Sequence, residues 1–179
     1  MKRILLNTIK RNSPDYKKYY ALVDDEDYGR VSQYNWHVWE SKQGTLYAIT
    51  NIKVKLRYKS LKMHKFLTGF KQTDHINGDG LDNQKGNLRE ANSSQNNWNK
   101  DVNKNNTSGL KGVYWNKQRS NWKAQIGYKG QRINLGVYKD KVVAGIIYDI
   151  NAIALHGEFA KTNFGNPAVS QAGKIQAVA

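Results

Sequence analysis

The chain has 179 residues, enough for one ordinary domain or two to three small ones. It carries 29 Lys and Arg against 14 Asp and Glu, a formal net charge of +15, which draws it towards polyanions because each cation near a phosphate releases condensed counterions. Cysteine is absent, which excludes disulfides, a cysteine nucleophile and a Cys-ligated zinc finger. At 39% hydrophobic and 24% charged residues, the composition supports a folded core of modest size rather than disorder throughout. The stretch MKRILLNTIKRN lacks the long apolar run of a secretory signal. No apolar segment approaches the ~18–20 residues needed to span a membrane. The expected setting is soluble and cytoplasmic, with no membrane partner.

Residues 1–60 read as mostly β. Trp36 to Trp39 and Tyr47 to Ile52 are aromatic and β-branched runs, and Ser41-Lys42-Gln43-Gly44 between them reads as a hairpin turn. Ile52, Val54, Leu56 and Tyr58 then alternate with Lys53, Lys55, Arg57 and Lys59. That alternation predicts one strand with four apolar side chains on one face and four basic ones on the other. The basic face is either an ordinary solvated surface or a phosphate-facing ribbon. The acidic run Asp24-Asp25-Glu26-Asp27 predicts the start of a short helix through Tyr28 to Tyr34, since carboxylates favour helix N-termini, in preference to a metal site.

Residues 61–104 change character and are dense in Asn, Asp and Gly. Asp74-His75-Ile76-Asn77-Gly78-Asp79-Gly80-Leu81-Asp82-Asn83 is followed by Gly86-Asn87-Leu88-Arg89-Glu90 and Ser94-Gln95-Asn96-Asn97. Gly78 and Gly80 permit a tight bend between two short strands. Leu88 to Asn99 is free of Pro and Gly and predicts a helix, with Asn92, Asn96 and Asn99 on one face. Phosphodiester hydrolysis needs a base to deprotonate water and a cation to neutralise the phosphate and stabilise the leaving oxygen. A histidine serves the first near neutral pH. A hard divalent cation held by oxygen serves the second, and Asp74 offers a carboxylate and Asn96 a carbonyl. Asn97 could replace Asn96 if the helix register slips, and Asn83 could replace Asn87. The bland alternative is an Asn/Gly-rich surface loop with one incidental histidine.

The run DHINGDGLDNQKGNLREANSSQNN, within residues 61–100, resembles the HNH, or ββα-metal, nucleases, and especially the homing-type endonucleases of phages and introns. The resemblance implies His75 as general base, Asn87 as the residue that orients it, and Asp74 with Asn96 as metal ligands. Asparagine at the third position makes the site oxygen-rich and favours Mg²⁺ or Mn²⁺ over zinc. His64 also stands where these proteins often have a histidine, although packing against the core is the favoured reading. Arg89 either contacts a phosphate or braces the motif through a salt bridge. His37 and His156 read as structural.

Residues 105–109, Asn-Asn-Thr-Ser-Gly, read as a linker. Three short antiparallel strands follow over 110–138, through Val113 and Trp115, then Trp122, Ala124 and Ile126, then Ile133, Leu135 and Val137. Turns are expected at Lys117 to Asn121 and at Lys129-Gly130. Val142 or Val143, Ile146 or Ile147, Ile150 and Ile153 or Ala154 recur at helical spacing, so 141–156 is expected to be a helix stopped by Gly157. The residues after 166 lack a pattern and read as a flexible tail over 167–179. The Leu135-Gly136-Val137-Tyr138, Tyr148-Asp149 and Asn163-Phe164 marks within 107–164 resemble the AP2 domain of plant transcription factors and phage HNH proteins. That resemblance implies a three-stranded sheet packed on one helix and lying in the DNA major groove. It suggests Lys111, Arg119, Arg132 and Asn134 as DNA-facing, with Lys117 and Lys123 nearby. Several arginines and the tryptophan that plant versions use are missing, with Gly127 and Asn134 at such places. The target sequence therefore does not transfer. Trp115 and Trp122 could stack on bases, although burial is the favoured reading for Trp122.

The expected fold class is α+β. An N-terminal β-rich DNA-contacting segment spans 1–60, a nuclease core 61–104, an AP2-like domain 105–166 and the tail 167–179. The expected function is metal-dependent DNA hydrolysis on double-stranded DNA, leaving a 5′ phosphate and a 3′ hydroxyl, with no small-molecule substrate. The resemblance implies a phage-encoded protein acting in a bacterial host cell. A monomer would nick one strand and a dimer could cut both. The rivals are a non-catalytic AP2-type regulator and a structural RNA-associated basic protein.

Overall fold

A computed structural model describes residues 1–7, 18–103 and 105–165. The expectation of a flexible tail over 167–179 falls outside the described residues. The chain is mixed α+β, with several small antiparallel sheets and four α-helices among the described residues, and divides into two compact units, Met1–Asn96 and Asn97–Ala179.

In the first unit, β1 (Lys2–Leu6) pairs antiparallel with β2 (Tyr19–Val23), and the short helix α1 (Asp25–Val31) follows. β3 (His37–Glu40), β4 (Leu46–Val54) and β5 (Arg57–Lys62) form a second sheet in that order. The turn expected at Ser41–Gly44 joins β3 to β4, and Gly44 supplies the left-handed residue at φ 88°. Asn7 links the two sheets, donating its N–H to Trp36 O at 2.8 Å and accepting from Val38 N at 3.1 Å. The core gathers Ile4, Leu6, Ala21, Val23, Val31, Trp36, Ala48 and Met63. Trp36 is buried with its indole N–H satisfied by Val31 O at 2.8 Å, which removes the cost of an orphaned donor.

One strand expectation is overturned. The run Ile52 to Lys59 is not a single strand but the end of a hairpin, with Val54 paired to Arg57 and a two-residue turn at Lys55-Leu56. Opposed residues of an antiparallel ladder share a face, so Val54 lies with Arg57, Ile52 with Lys59, and Lys53 with Tyr58. Basic and apolar side chains are therefore mixed on both faces. Lys55 takes φ +55°, a left-handed conformation that costs a non-glycine residue roughly 1–2 kcal/mol.

The helix α2 (Met63–Thr68) follows and ends on Gly69 in the left-handed conformation. β6 (Thr73–His75) pairs antiparallel with β7 (Leu88–Glu90), and α3 (Ser93–Trp98) comes next. The helix expected over Leu88–Asn99 is thus shorter, because its first residues complete the β6 ladder. Asn92 lies before α3 and caps it. Its carboxamide accepts from Gln95 N at 3.0 Å, while Gln95 Oε1 accepts from Asn92 N at 2.8 Å. Asn99 lies beyond the helix, so of the three asparagines only Asn96 is inside it.

The second unit is a three-stranded antiparallel sheet packed on one helix. Its strands are β8 (Val113–Asn116), β9 (Asn121–Tyr128) and β10 (Gln131–Tyr138), with β9 central, and the helix is α4 (Lys141–His156). Asp140 caps α4 by accepting from Val142 N at 2.6 Å and Val143 N at 3.2 Å. The helix stands where expected, but the face it buries is not the β-branched stripe. Ala144, Gly145, Tyr148, Asp149, Ala152 and His156 are inside, and Val142, Val143, Ile146 and Ile150 are exposed. Close approach explains this: a Cβ on Gly145 would press on Phe164 and Leu110, and one on Gly112 would overlap the Tyr148 ring. Small residues let helix and sheet meet. By length and composition Lys141–Phe159 is long and apolar enough to cross a membrane, contrary to expectation, yet it serves here as the core helix of the sheet.

Candidate active site and nucleic-acid interface

β6 and β7 present the Asp74-His75 pair. Adjacent strand residues leave on opposite faces, and the two side chains have different neighbours. Asp74 is buried and opposes Arg89 across the ladder. The Arg89 guanidinium donates to Asp74 Oδ2 from Nε at 2.9 Å and from Nη2 at 2.7 Å. Of the two roles open for Arg89, bracing the motif is the one its geometry fits.

His75 is buried among aromatic rings. His64 meets it edge-on with centroids 5.0 Å apart, and Tyr47 lies 5.9 Å away. Burial lowers the His75 pKa below the ordinary 6.5, while the Asn83 carboxamide and the charges of Asp74, Asp79 and Asp82 pull it back up. The imidazole is therefore neutral at neutral pH, the form a general base requires. His64 is buried more decisively in its effect: its pKa falls to about 3, through burial and then the neighbouring His75, Lys62 and Lys65. Burial also raises the Tyr47 hydroxyl, so that it stays protonated.

The connection between β6 and β7 is held by side chains. Asn87 Oδ1 accepts from Asn77 N at 2.9 Å, and Asn87 Nδ2 donates to Asn77 Oδ1 at 3.0 Å and Asp82 O at 2.8 Å. Asn87 thus fixes the loop, while the fully buried Asn83 is the amide beside the histidine. Gly80 is required where the loop crosses β4, since a Cβ there would overlap Leu46 O and the Tyr47 ring. Asn96 is half-buried on α3, and its carboxamide takes no part in the Asn77–Asp82–Asn87 network. Asn97, the alternative, is exposed and accepts from Lys100 Nζ at 2.7 Å.

The N-terminal strands and helix also position this loop. Leu22 N donates to Leu81 O and Asn83 N to Leu22 O, both at 2.8 Å. The acidic run starts α1 at Asp25, earlier than expected, but Asp24 makes no cap with its side chain. Instead Asp24 accepts from Lys85 N at 2.7 Å, and Lys85 Nζ pairs with Glu26 and Asp27. Sequence reasoning missed this clamp and the place of Tyr47; nothing in the local pattern at either end signals a partner so distant in the chain.

Among the described residues no three His, Asp or Glu side chains converge into a metal cage. The candidate donors remain a carboxylate and a carboxamide, a hard-oxygen set that suits a cation keeping most of its water.

In the second unit the ladder register sorts the expected DNA-facing residues. Ala124 and Ile126 on β9 face α4, so Lys123, Gln125 and their partners Tyr114, Asn134 and Val137 share the opposite face, with Arg132 two residues before Asn134. Arg132 and Asn134 are exposed, and Lys123 lies over the Tyr114 ring at 5.9 Å. Lys117 and Arg119 are exposed in the β8–β9 turn. Lys111 is different: its ammonium donates to the carbonyls of Trp98 and Lys100, and burial lowers its pKa to about 8. Trp122 packs into the core on the helix side, against the more exposed Trp115. His156 is buried, its Nε2 paired with Gly127 O at 2.9 Å and its ring stacked on Trp98 at 4.3 Å. The Asp149 and Asn163-Phe164 marks form one knot, in which Asp149 accepts from Asn163 N, Asn163 Nδ2 and Phe164 N. In the first unit Lys53, Lys55, Arg57 and Lys59 are all exposed.

No protein-family model matches the chain. It is 39% identical over 88 residues to Protein 3.8 of Escherichia phage T7, covering 49% of this chain and 72% of that one. It is 27% identical over 144 residues to an uncharacterized HNH endonuclease of Acanthamoeba polyphaga mimivirus, covering 80% of this chain and 74% of that one. The chain thus has virus-encoded relatives, one of which bears an HNH endonuclease name.

Proposed function

We propose that this chain, which belongs to one family with Protein 3.8 of Escherichia phage T7, is a metal-dependent DNA endonuclease of the HNH type. The observation that carries this reading is His75: a neutral, buried imidazole one residue from a carboxylate fixed by Arg89. The distant relative named as an HNH endonuclease supports it.

His75 accepts the proton of a water molecule as that water attacks the scissile phosphate. Asn87 holds the loop that carries Asn83, the buried amide beside the ring. Arg89 orients the Asp74 carboxylate through two hydrogen bonds to Oδ2. A divalent cation, Mg²⁺ or Mn²⁺, taken by Asp74 and Asn96, would supply the positive charge that phosphate and departing 3′ oxygen need. The products are a 5′ phosphate and a 3′ hydroxyl. Residues 61–104 carry the chemistry in this reading. Residues 1–60 contribute basic contacts through Lys53, Lys55, Arg57 and Lys59. Residues 105–166 act as an AP2-like binding domain, whose open sheet face offers Lys123, Arg132 and Asn134, with Lys117 and Arg119 beside it. A monomer with one such site nicks one strand of duplex DNA.

The test is supercoiled plasmid and phage DNA incubated with protein and Mg²⁺ or Mn²⁺, beside an EDTA control and His75→Ala. Open-circle or linear DNA from wild type alone supports the proposal. Binding without cutting across metals and substrates hands the function to the sheet of the second unit.

A further inference from the structure

The β4–β5 hairpin is built to reach outwards. Residues 53–60 are exposed without interruption, so the last three rungs, from Ile52↔Lys59 to Val54↔Arg57, form an arm roughly 10 Å long. Its tip is Leu56, 96% exposed, with Tyr58 75% exposed just behind. A lone exposed leucine means little. Two further facts set this one apart. The hairpin from Leu46 to Lys62 holds Lys53, Lys55, Arg57, Lys59 and Lys62 and no acidic residue. The register also puts a cation on each face beside the apolar tip, Arg57 and Lys59 on one and Lys53 on the other. A fully exposed apolar side chain held out amid unopposed positive charge points to a polyanion with an apolar interior.

We propose that Leu56 is a DNA wedge: the hairpin tip enters the minor groove of duplex DNA, Leu56 inserts between two base pairs, and Lys55 and Arg57 neutralise the flanking phosphates. Apolar side chains inserted in this way unstack a base step and kink the duplex. The cost of the kink depends on the step being opened and is least at flexible pyrimidine–purine steps. The wedge would therefore bias where the protein settles without any hydrogen bond to a base. The proposal rests on duplex DNA being the substrate, but not on cleavage.

The test images linearised plasmid by atomic force microscopy with full-length protein in EDTA, so that nothing is cut and no target site need be known. Wild type should bend DNA where it is bound, by about 20–90°. Leu56→Ala should bind within about threefold of wild type and leave the path of the DNA as in bare duplex, and Leu56→Phe should keep the bend. The double variant Lys55→Ala, Arg57→Ala should lower the salt slope of binding by about 2. Wild type that binds without bending, a Leu56→Ala protein that bends fully, or wild type that prefers RNA or binds no duplex would each overturn the wedge. Plasmid nicking with Mg²⁺ by the same preparations separates the two readings. Bending without nicking keeps the wedge and removes the nuclease; nicking without bending does the reverse.

Discussion

The segment from Asp74 to Glu90 and the sheet from Val113 to Tyr138 hold their polar side chains by different means. The former has strands of only three residues, and its geometry comes from side chains: Asn87 on Asn77 and Asp82, Asp24 on Lys85, Arg89 on Asp74. The latter has strands of four to eight residues whose backbone ladder sets every side chain's face. Hydrolysis needs a few atoms in one arrangement, and a loop tied by specific hydrogen bonds provides it. Groove binding needs a surface of fixed pitch, and a register provides that. Substitutions in the two regions should therefore fail differently.

The largest effects should come from glycines at close approaches. Gly112→Ala would force a Cβ into the Tyr148 ring at φ +72°, costing about 3 kcal/mol or more by urea unfolding, with weakened DNA binding. Gly80→Ala should cost a similar amount in the first unit and remove nicking, because the loop could no longer lie against Tyr47. Equal loss of both activities in both variants would erase the distinction drawn here. Asn87→Ala removes three hydrogen bonds from the loop and should slow cleavage by about 10²-fold while duplex binding stays near wild type, measured by nicking and gel shift.

Titration gives a finer separation. Because burial lowers the His75 pKa, the acid limb of the pH–rate profile should fall below 6.5, and Asn83→Ala should move it lower still, since that amide works in the opposite direction. Stability has its own window. His64 is held neutral in the fold, so its contribution is intact above about 6.5 and is lost as pH falls towards about 3, while the unfolded chain takes up the proton. His64→Phe should flatten that part of the stability profile. The smallest effect should be Arg132→Ala, a loss of binding of a few fold with the salt slope reduced by about 1 and the rate of bound complexes unchanged.

Much of the second unit was legible because its turns use ordinary turn residues. Lys129-Gly130 announces the β9–β10 hairpin through glycine at φ +76°, and apolar alternation marks the strands. The equivalent β4–β5 turn was invisible, since Lys55 takes the left-handed role and the alternation runs unbroken through it. The buried face of α4 was not legible for a related reason: Val142, Val143, Ile146 and Ile150 make the stronger hydrophobic stripe, but Gly112 and Gly145 decide which side approaches the sheet. Around the candidate site, the bend at Gly78 and Gly80 between two short strands was legible, but Leu88–Glu90 was expected as helix and is the strand that pairs with β6. The Asp74–Arg89 pair was one of two readings left open. The Asn83 contact and the clamp from Asp24, Glu26 and Asp27 depend on a chain path that local spacing does not encode.

The role of His75 is tested by single-turnover cleavage of plasmid saturated with protein, comparing wild type with His75→Ala at equal occupancy in Mg²⁺. His75→Ala should bind as wild type does and cut about 10²–10⁴-fold more slowly. Cleavage by His75→Ala at the wild-type rate would rule out His75 as the base.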